Sequence, residues 1–595
     1  MKKLTTALCA LGAVCAVPHT SAFQIVDNPD GVTASLDSVV EYNVIYRTSK
    51  VNRPYSGGEN VFANDNDGSE YYNRGIVSNE YKIRSELDLK YGDDGIFVRG
   101  AAWYDTAIMD RGPSGSDFDT HNTDSASKFP SDLKNRVGHK ARLLDAYWYV
   151  NSEVGEHPLS FRLGRQVINW GEGLFYADGL NVSNPLDLGR VVLPSASYKD
   201  ALLPVNMFSA QFGLTENLSV DGYYALEWRR NEIVPTGAFL SDNDIFGKGT
   251  NGVLVDMRGT LAELGIPESL VPGLNGVDGL VTGARYGKDT SARDSGQYGL
   301  ALRYVAPELN STEFGLYYMN YHSKTPFMSV RPGQTGSCSV SGSGGRYGSL
   351  CGLGIAGLDE FVDGLAMLDS TYYDLVYPED IRVFGFTVSG NVHDTNVGFE
   401  VTYRPNMPIE SGMTSELESY ITGALSGGAS GGTINLGDFG DVNGHSIDLY
   451  HRDELYTTSL TTISTFGPRI GLDDVSLLTE IATNYIPGSI TDSPNYAYLS
   501  PFSWGFTASL SGTYQSFLPG IDLYPALTFA QSVKGTSPAL SSNFSEGRKS
   551  GTAELGARYG DSLYARISYT NFWGKRKENT LGDRDHLALS VSYSF

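Results

Sequence analysis

Asp585-His-Leu-Ala-Leu-Ser-Val-Ser-Tyr-Ser-Phe595 is the stretch that decides the fold class. Leu587, Leu589, Val591, Tyr593 and Phe595 occupy every second position. Successive residues of a strand point to opposite faces, so this is a strand with one apolar face and one small, polar face. Such a strand suits a wall with lipid on one side and a hydrated lumen on the other.

The pattern recurs upstream. Tyr81, Ile83, Leu87, Leu89 and Tyr91 alternate with Glu80, Lys82, Arg84, Glu86, Asp88 and Lys90. Val220, Gly222, Tyr224, Leu226 and Trp228 alternate with Asp221, Glu227 and Arg229, and Leu555, Ala557 and Tyr559 with Glu554 and Arg558. Charges this regular cannot all be buried without partners, and a hydrated lumen supplies them. Strands of this kind are expected at about 37–48, 79–91, 95–108, 142–152, 158–168, 205–214, 217–229, 295–307 and 311–323. A second nine are expected at 379–391, 395–406, 455–467, 473–486, 503–516, 520–531, 547–560, 562–573 and 585–595. The connections alternate short and long. Gly92-Asp-Asp-Gly95, Thr215-Glu-Asn217, Glu308-Leu-Asn-Ser311, His393-Asp-Thr395 and Gly560-Asp561 are tight turns, whereas the intervening links are long. The sequence therefore predicts an all-β transmembrane antiparallel barrel of about 18 strands (16–20), with long extracellular loops and short periplasmic turns. The terminal aromatic closing Leu587–Phe595 also resembles the assembly signal of bacterial outer-membrane barrels. It implies barrel-assembly machinery and outer-membrane lipid as partners.

Composition agrees. Aromatics make up 12% of the 595 residues, Gly numbers 69 and charged residues are only 19%. Mean hydropathy is −0.22, and no apolar run reaches the ~18–20 residues of a membrane-spanning helix. The aromatic content excludes a disordered chain. A net charge of −24 argues against nucleic acid as a partner, because phosphate binding needs a positive face.

Lys2 and Lys3, the apolar run Leu4–Val17 and the small residues Thr20-Ser21-Ala22 predict a secretory signal peptide, 1–22, cleaved after Ala22. Residues 23–36 are expected to be a periplasmic N-terminal segment and 37–595 the single barrel domain. Of the 4 Cys, Cys9 and Cys15 leave with the signal. Cys338 and Cys351 remain in a Gly/Ser-rich stretch, and in an oxidising compartment they are expected to form a loop disulfide. No metal site and no cofactor is expected.

The long loops are not simply polar. Leu254, Met257, Leu261 and Leu264 share a helical face. Asp359–Asp369 carries Phe361, Val362, Leu365, Met367 and Leu368, and Ser415-x-x-Glu418 opens a capping box that ends before Gly427-Gly428. Two readings stand: the loops pack on one another as a cap, or they form a lid or plug lining an apolar binding site.

Two stretches go beyond a generic barrel. One is Phe161-Arg-Leu-Gly-Arg-Gln-Val-Ile-Asn-Trp-Gly-Glu172, followed by Gly179-Leu-Asn-Val-Ser-Asn-Pro-Leu-Asp187 and Leu203-Pro204-Val205. The other is Tyr377-Pro-Glu-Asp-Ile-Arg-Val-Phe-Gly385, continuing into Val397-Gly-Phe-Glu-Val-Thr-Tyr-Arg-Pro405. They resemble the large proteobacterial outer-membrane family catalogued as domain of unknown function DUF1302, over most of the chain. Members are often encoded beside a second envelope protein and an RND-type export pump, near genes for breakdown of lipids, steroids or aromatic compounds. The resemblance implies transport or an envelope role, an apolar cargo and a possible periplasmic partner; it carries no catalytic residues. Read physically, Arg162, Arg165, Trp170 and Glu172 end a strand at its outer rim, with Asp187 and Arg190 in the loop beyond. Arg–carboxylate pairs there would pin the loop over the lumen. Alternatively, Arg162 and Arg165 belong to an ordinary lumen charge ladder.

Three functions remain in order. The first is a channel for hydrophobic or amphiphilic small molecules, its mouth occluded by extracellular loops. The second is a general, cation-preferring porin. The third is a surface adhesin or envelope scaffold. An enzyme is not expected, since no Gly-x-Ser-x-Gly elbow stands in a strand-to-helix context beside the histidines.

Overall fold

The structure is a computed structural model. It describes residues 23–595 except 27, 29–30, 53–66, 116–127, 177–178, 192, 194–200, 242–243, 251, 257–279, 334–350, 353–357, 411–433, 436–440, 443–444, 489–495, 497, 539–542 and 576–578. The signal-peptide reading, Cys338, Met257, Leu261 and the capping-box segment at 415–418 lie outside the described residues.

The strands, in chain order, are β1 (Phe23–Val26), β2 (Val32–Arg47), β3 (Gly75–Tyr91), β4 (Asp94–Asp105), β5 (His139–Val154), β6 (His157–Gln166), β7 (Val205–Gly213), β8 (Leu218–Ala225) and β9 (Val253–Asp256). They continue with β10 (Leu280–Thr290), β11 (Gln297–Ala306), β12 (Thr312–Tyr321), β13 (Phe327–Arg331), β14 (Tyr372–Val376), β15 (Ile381–Val392), β16 (Thr395–Glu410), β17 (Ile434–Asn435) and β18 (Asp441–Val442). The last are β19 (Ile447–Asp448), β20 (Tyr450–Thr465), β21 (Asp474–Tyr485), β22 (Phe502–Leu518), β23 (Ile521–Lys534), β24 (Arg548–Tyr559), β25 (Leu563–Gly574) and β26 (His586–Ser594).

Eighteen of them close into one antiparallel barrel. In ring order they are β2 to β8, β11, β12, β15, β16 and β20 to β26. The ring shuts where β26 meets β2: Val39 stands opposite Ser594 and Arg47 opposite His586. Ser38 and Phe595 exchange backbone hydrogen bonds of 2.9 Å in both directions at the end of this seam. Past Phe595 the free edge of β2 is taken up by β1, Phe23 facing Leu36. Since Phe595 supplies the last rung of the seam, its deletion should lower the yield of folded, heat-modifiable protein several-fold. Quantitative electrophoresis of unboiled membranes checks this, and an unchanged yield would count against Leu587–Phe595 as an assembly signal.

The alternation read from sequence matches the two faces. Tyr81 and Ile83 are 54% and 44% exposed on the outside, while Glu80 and Lys82 between them are 3% and 6% exposed. Ile96, Trp148, Leu163, Leu300, Leu316, Phe384, Ile481, Leu527, Leu555, Leu587 and Leu589 are likewise exposed. Backbone groups that meet no water must all be paired within the ring, and an apolar outer belt dissolves in lipid. The chain is a closed 18-stranded antiparallel β-barrel with an apolar outer belt. Inside, the charges are paired with one another: Lys82 with Glu41 at 3.2 Å, Arg99 with Asp145 at 2.5 Å and Arg303 with Asp221 at 2.7 Å.

At the long-loop end, β9, β10, β13, β14 and β19 form a separate sheet, and β17 and β18 a two-stranded one. Here one expectation is corrected. Leu254 lies on a strand rather than a helix: the β-branched Val253 and Val255 favour extension, and β9 pairs with β10, Leu254 facing Thr282. The helix expected at 359–369 is present at Leu358–Asp369. Its Phe361, Val362, Leu365, Met367 and Leu368 are all buried. They therefore hold the cap together and do not present an open apolar patch.

Candidate functional site

The link between β6 and β7 does not stay at the rim. It enters the barrel and touches walls far apart in the ring. Two carboxylates on the wall hold its backbone. Glu400 on β16 accepts the Glu172 N–H at 2.7 Å with one oxygen and the Leu180 N–H at 2.6 Å with the other. Glu480 on β21 accepts the N–H groups of Leu174 and Phe175 at 2.9 and 2.5 Å. Its other oxygen takes the Ser459 hydroxyl at 2.7 Å. Arg404, two turns of the pleat beyond Glu400, donates to the Gly179 carbonyl at 2.7 Å. Both carboxylates are buried, Glu400 at 2% exposure and Glu480 at 0%. Buried carboxylates persist only when donors surround them, and backbone N–H groups of the crossing segment are those donors.

The local sequence permits this approach. A Cβ at Gly171 or at Gly179 would stand 2.2 Å from an oxygen of Glu400, and Gly171 has φ +96°. Only glycine lets the chain wrap a carboxylate this closely.

The side chains of the segment then seat against the wall. Trp170 packs edge-on against Tyr223 of β8 at 5.1 Å and beside Tyr317 of β12 at 5.6 Å. Ser183 donates to the Tyr223 hydroxyl at 2.9 Å. Leu180 lies over Gly385 of β15. Together with Met207, Met319 and Val383 these residues form one buried apolar cluster inside the barrel. β7, β8, β11, β12 and β15 are neighbours in the ring, so their inward side chains make an apolar stripe down one side of the lumen. Farther along the crossing segment, Tyr176 lies tilted against Phe544, ring centroids 5.2 Å apart, and receives a hydrogen bond from Thr507 of β22 at 3.1 Å.

Ion pairs fix the returning half. Arg142 of β5 pairs with Asp187 at 2.8 Å, and Arg190 pairs with Glu80 of β3 at 2.6 Å. The Arg190 guanidinium also lies over the Trp103 ring, 3.7 Å from its centroid. A pinning loop with Asp187 and Arg190 is thus present, but the wall partners are Arg142 and Glu80. Arg162 instead lies over Tyr147, and Arg165 donates to the Pro204 carbonyl at 3.3 Å, where the segment rejoins the wall. Glu172 takes part through its backbone. Burial, and then the Glu400 carboxylate, push its own carboxyl up to about 7. A proton held there near neutrality removes like-charge repulsion with Glu400.

A second closure lies above. Pro235–Ser241, from the link after β8, reaches the opposite rim. Tyr72 donates to the Gly237 carbonyl at 3.0 Å and Arg584 to the Phe239 carbonyl at 2.7 Å. Phe239 and Leu240 join Tyr71, Tyr72, Phe129 and Leu133 in a buried cluster that includes Ile45 and Ala588 of the wall.

The chain matches, over residues 3–595, the family described as "Protein of unknown function (DUF1302)". No curated protein matches it in sequence. Among solved structures it is similar to OmpF of Salmonella typhi in complex with daunomycin, at 10% identity and TM-score 0.35, covering 96% of this chain and 100% of that one. It is also similar to Pseudomonas aeruginosa OpdK with vanillate, at 10% identity and TM-score 0.38, over 94% and 98%. A third likeness is to a BenF-like porin from Pseudomonas fluorescens Pf-5, at 11% identity and TM-score 0.37, over 95% and 98%.

Proposed function

The chain belongs to the family described as "Protein of unknown function (DUF1302)", and from that premise we propose that it is a gated outer-membrane channel for hydrophobic or amphiphilic small molecules. The long loops face the outside and the short turns the periplasm. The observation that carries the reading is the apolar stripe inside the barrel, with Met207, Tyr223, Tyr317, Met319 and Val383 turned inward. A polar solute gains nothing from such a wall. An apolar one gains about 25 cal/mol per Å² of surface it hides there. The crossing segment occupies the stripe at rest, so passage requires the cargo to take the place of Trp170 and Leu180. The segment's polar anchors also disfavour a permanently open, cation-preferring pore. No nucleotide or ion gradient is needed: the movement is downhill diffusion through a site that competes with the plug.

The test alters the stripe without touching the anchors. Met207→Gln with Met319→Gln keeps side-chain length but puts amides on the wall. Cells carrying the double variant should take up a hydrophobic anion at least about tenfold more slowly, which corresponds to ~1.4 kcal/mol. Uptake of a small sugar should be unchanged. Equal effects on both solutes, or none on either, would reject the reading.

A further inference from the structure

Lys324 lies just beyond the long-loop end of β12 and is 7% exposed. Among the described residues, its Nζ has no hydrogen-bond partner. It lies over the Tyr321 ring, with Nζ 5.4 Å from the centroid. Tyr321 belongs to the apolar cluster of the lumen, and its hydroxyl points at the Met407 sulfur at 3.9 Å. The surrounding backbone is fixed independently of the ammonium. Asn231 donates to the Lys324 carbonyl at 2.8 Å, and the Trp228 indole to the Ser323 carbonyl at 3.2 Å.

An ammonium enclosed this way forfeits its hydration without gaining a carboxylate, which is costly and rarely retained for packing alone. Other strongly buried cations of the lumen have partners: Lys82 has Glu41, Arg99 has Asp145 and Arg190 has Glu80, while Arg404 donates to the Thr402 hydroxyl and the Gly179 carbonyl. Burial alone draws the Lys324 ammonium down to about 7. An arriving anion would reverse that, because an opposite charge at contact favours the protonated form.

We propose that Lys324 is the head-group site of the channel: it binds the carboxylate of an amphiphilic cargo whose apolar body lies against the Tyr321–Met407 end of the inner stripe. The inference rests on the apolar-cargo reading and narrows it to anionic amphiphiles. A cation at the top of an apolar seat selects by charge, and the seat selects by hydrophobic area. The two together admit a fatty-acid-like or acidic ring compound and reject both a neutral hydrocarbon and a small polar anion.

The experiment compares dodecanoate with 1-dodecanol, which share the chain and differ in the head. Binding of each is measured by equilibrium dialysis on the full chain in lipid nanodiscs, against empty nanodiscs. The wild type should prefer dodecanoate by about tenfold or more, as expected for one charge-assisted contact. Lys324→Met should lose that preference while still binding dodecanol, and Lys324→Arg should retain it. Removing an unpaired buried charge favours folding, and heat-modifiable migration verifies it. Lys324→Gln repeats the comparison with a neutral polar side chain. A dodecanoate preference that survives in both neutral variants overturns the Lys324 assignment and leaves the apolar channel standing. Failure of the wild type to bind either compound overturns both.

Discussion

Replacing Glu400 and Glu480 together by alanine should turn a closed barrel into a conducting one. Four backbone N–H groups of the crossing segment, those of Glu172, Leu174, Phe175 and Leu180, end on these two carboxylates. A hydrogen bond to a charged group contributes about 1.5–3 kcal/mol. Loss of four removes several kcal/mol from the seated state, while the released N–H groups find water once displaced. About 5.5 kcal/mol is enough to move a two-state equilibrium from 1:99 to 99:1. The expected result in planar bilayers is a rise from rare, small openings to steady conductance, with sugar permeability rising alongside. Glu400→Gln alone should lie between, since an amide keeps one acceptor oxygen and faces the second N–H with a donor. Unchanged conductance in the double variant would show that the apolar contacts of Trp170 and Leu180 suffice to hold the plug.

The second large effect is on stability. Arg47, at 0% exposure, donates to the Ser69 carbonyl at 2.5 Å and to the Asp583 carbonyl at 2.9 Å, and pairs with the Asp583 carboxylate at 3.0 Å. It also bonds the Tyr72 carbonyl. It thus joins the first long loop to the last one, over the seam between β2 and β26. Arg47→Met removes one of the two cations on the Asp583 carboxylate, which keeps Arg584, and takes away the donor to the Tyr72 carbonyl, a loss of about 2–3 kcal/mol. The Arg558–Asp522 pair, 2.8 Å apart with side chains 33% and 24% exposed, provides the contrast. Arg558→Met should cost less than about 1 kcal/mol. Urea unfolding of both variants in lipid checks the ranking, and equal midpoints would show that the loops are tied together elsewhere.

The wall was legible because each strand carries its own evidence: period-two alternation needs only local sequence, and tight turns such as His393-Asp-Thr395 mark where it reverses. Strand ends were less legible. β2 begins at Val32, not 37, because Val32–Leu36 gain partners only from β3 and β1. At 253–256 helical spacing competed with β-branched residues, and pairing with a distant strand decided the outcome.

The site was half legible. Trp170-Gly-Glu172 and Gly179–Asp187 drew notice as one unusual stretch, and Gly385 with Val397–Pro405 as another. That the two are halves of one contact could not be read, because Glu400 alternates like any lumen acid and its partners are backbone groups 228 and 220 residues away. The one local clue was a pair of glycines in a segment with no turn to make. Lys324 left no sequence signal at all, since an unpaired lysine is recognised only by what surrounds it.

Because the crossing segment is fixed to β3 and β5 at one side and to β16 and β21 at the other, it does more than obstruct. A ring of strands joined only edge to edge flexes readily at each hydrogen-bonded seam, so its cross-section can be squeezed into an ellipse by lateral pressure in the bilayer. A chord pinned at well-separated points fixes a diameter, as a spoke does in a rim. Unseating it therefore softens the whole hoop, and the bore that opens takes its shape partly from the surrounding lipid.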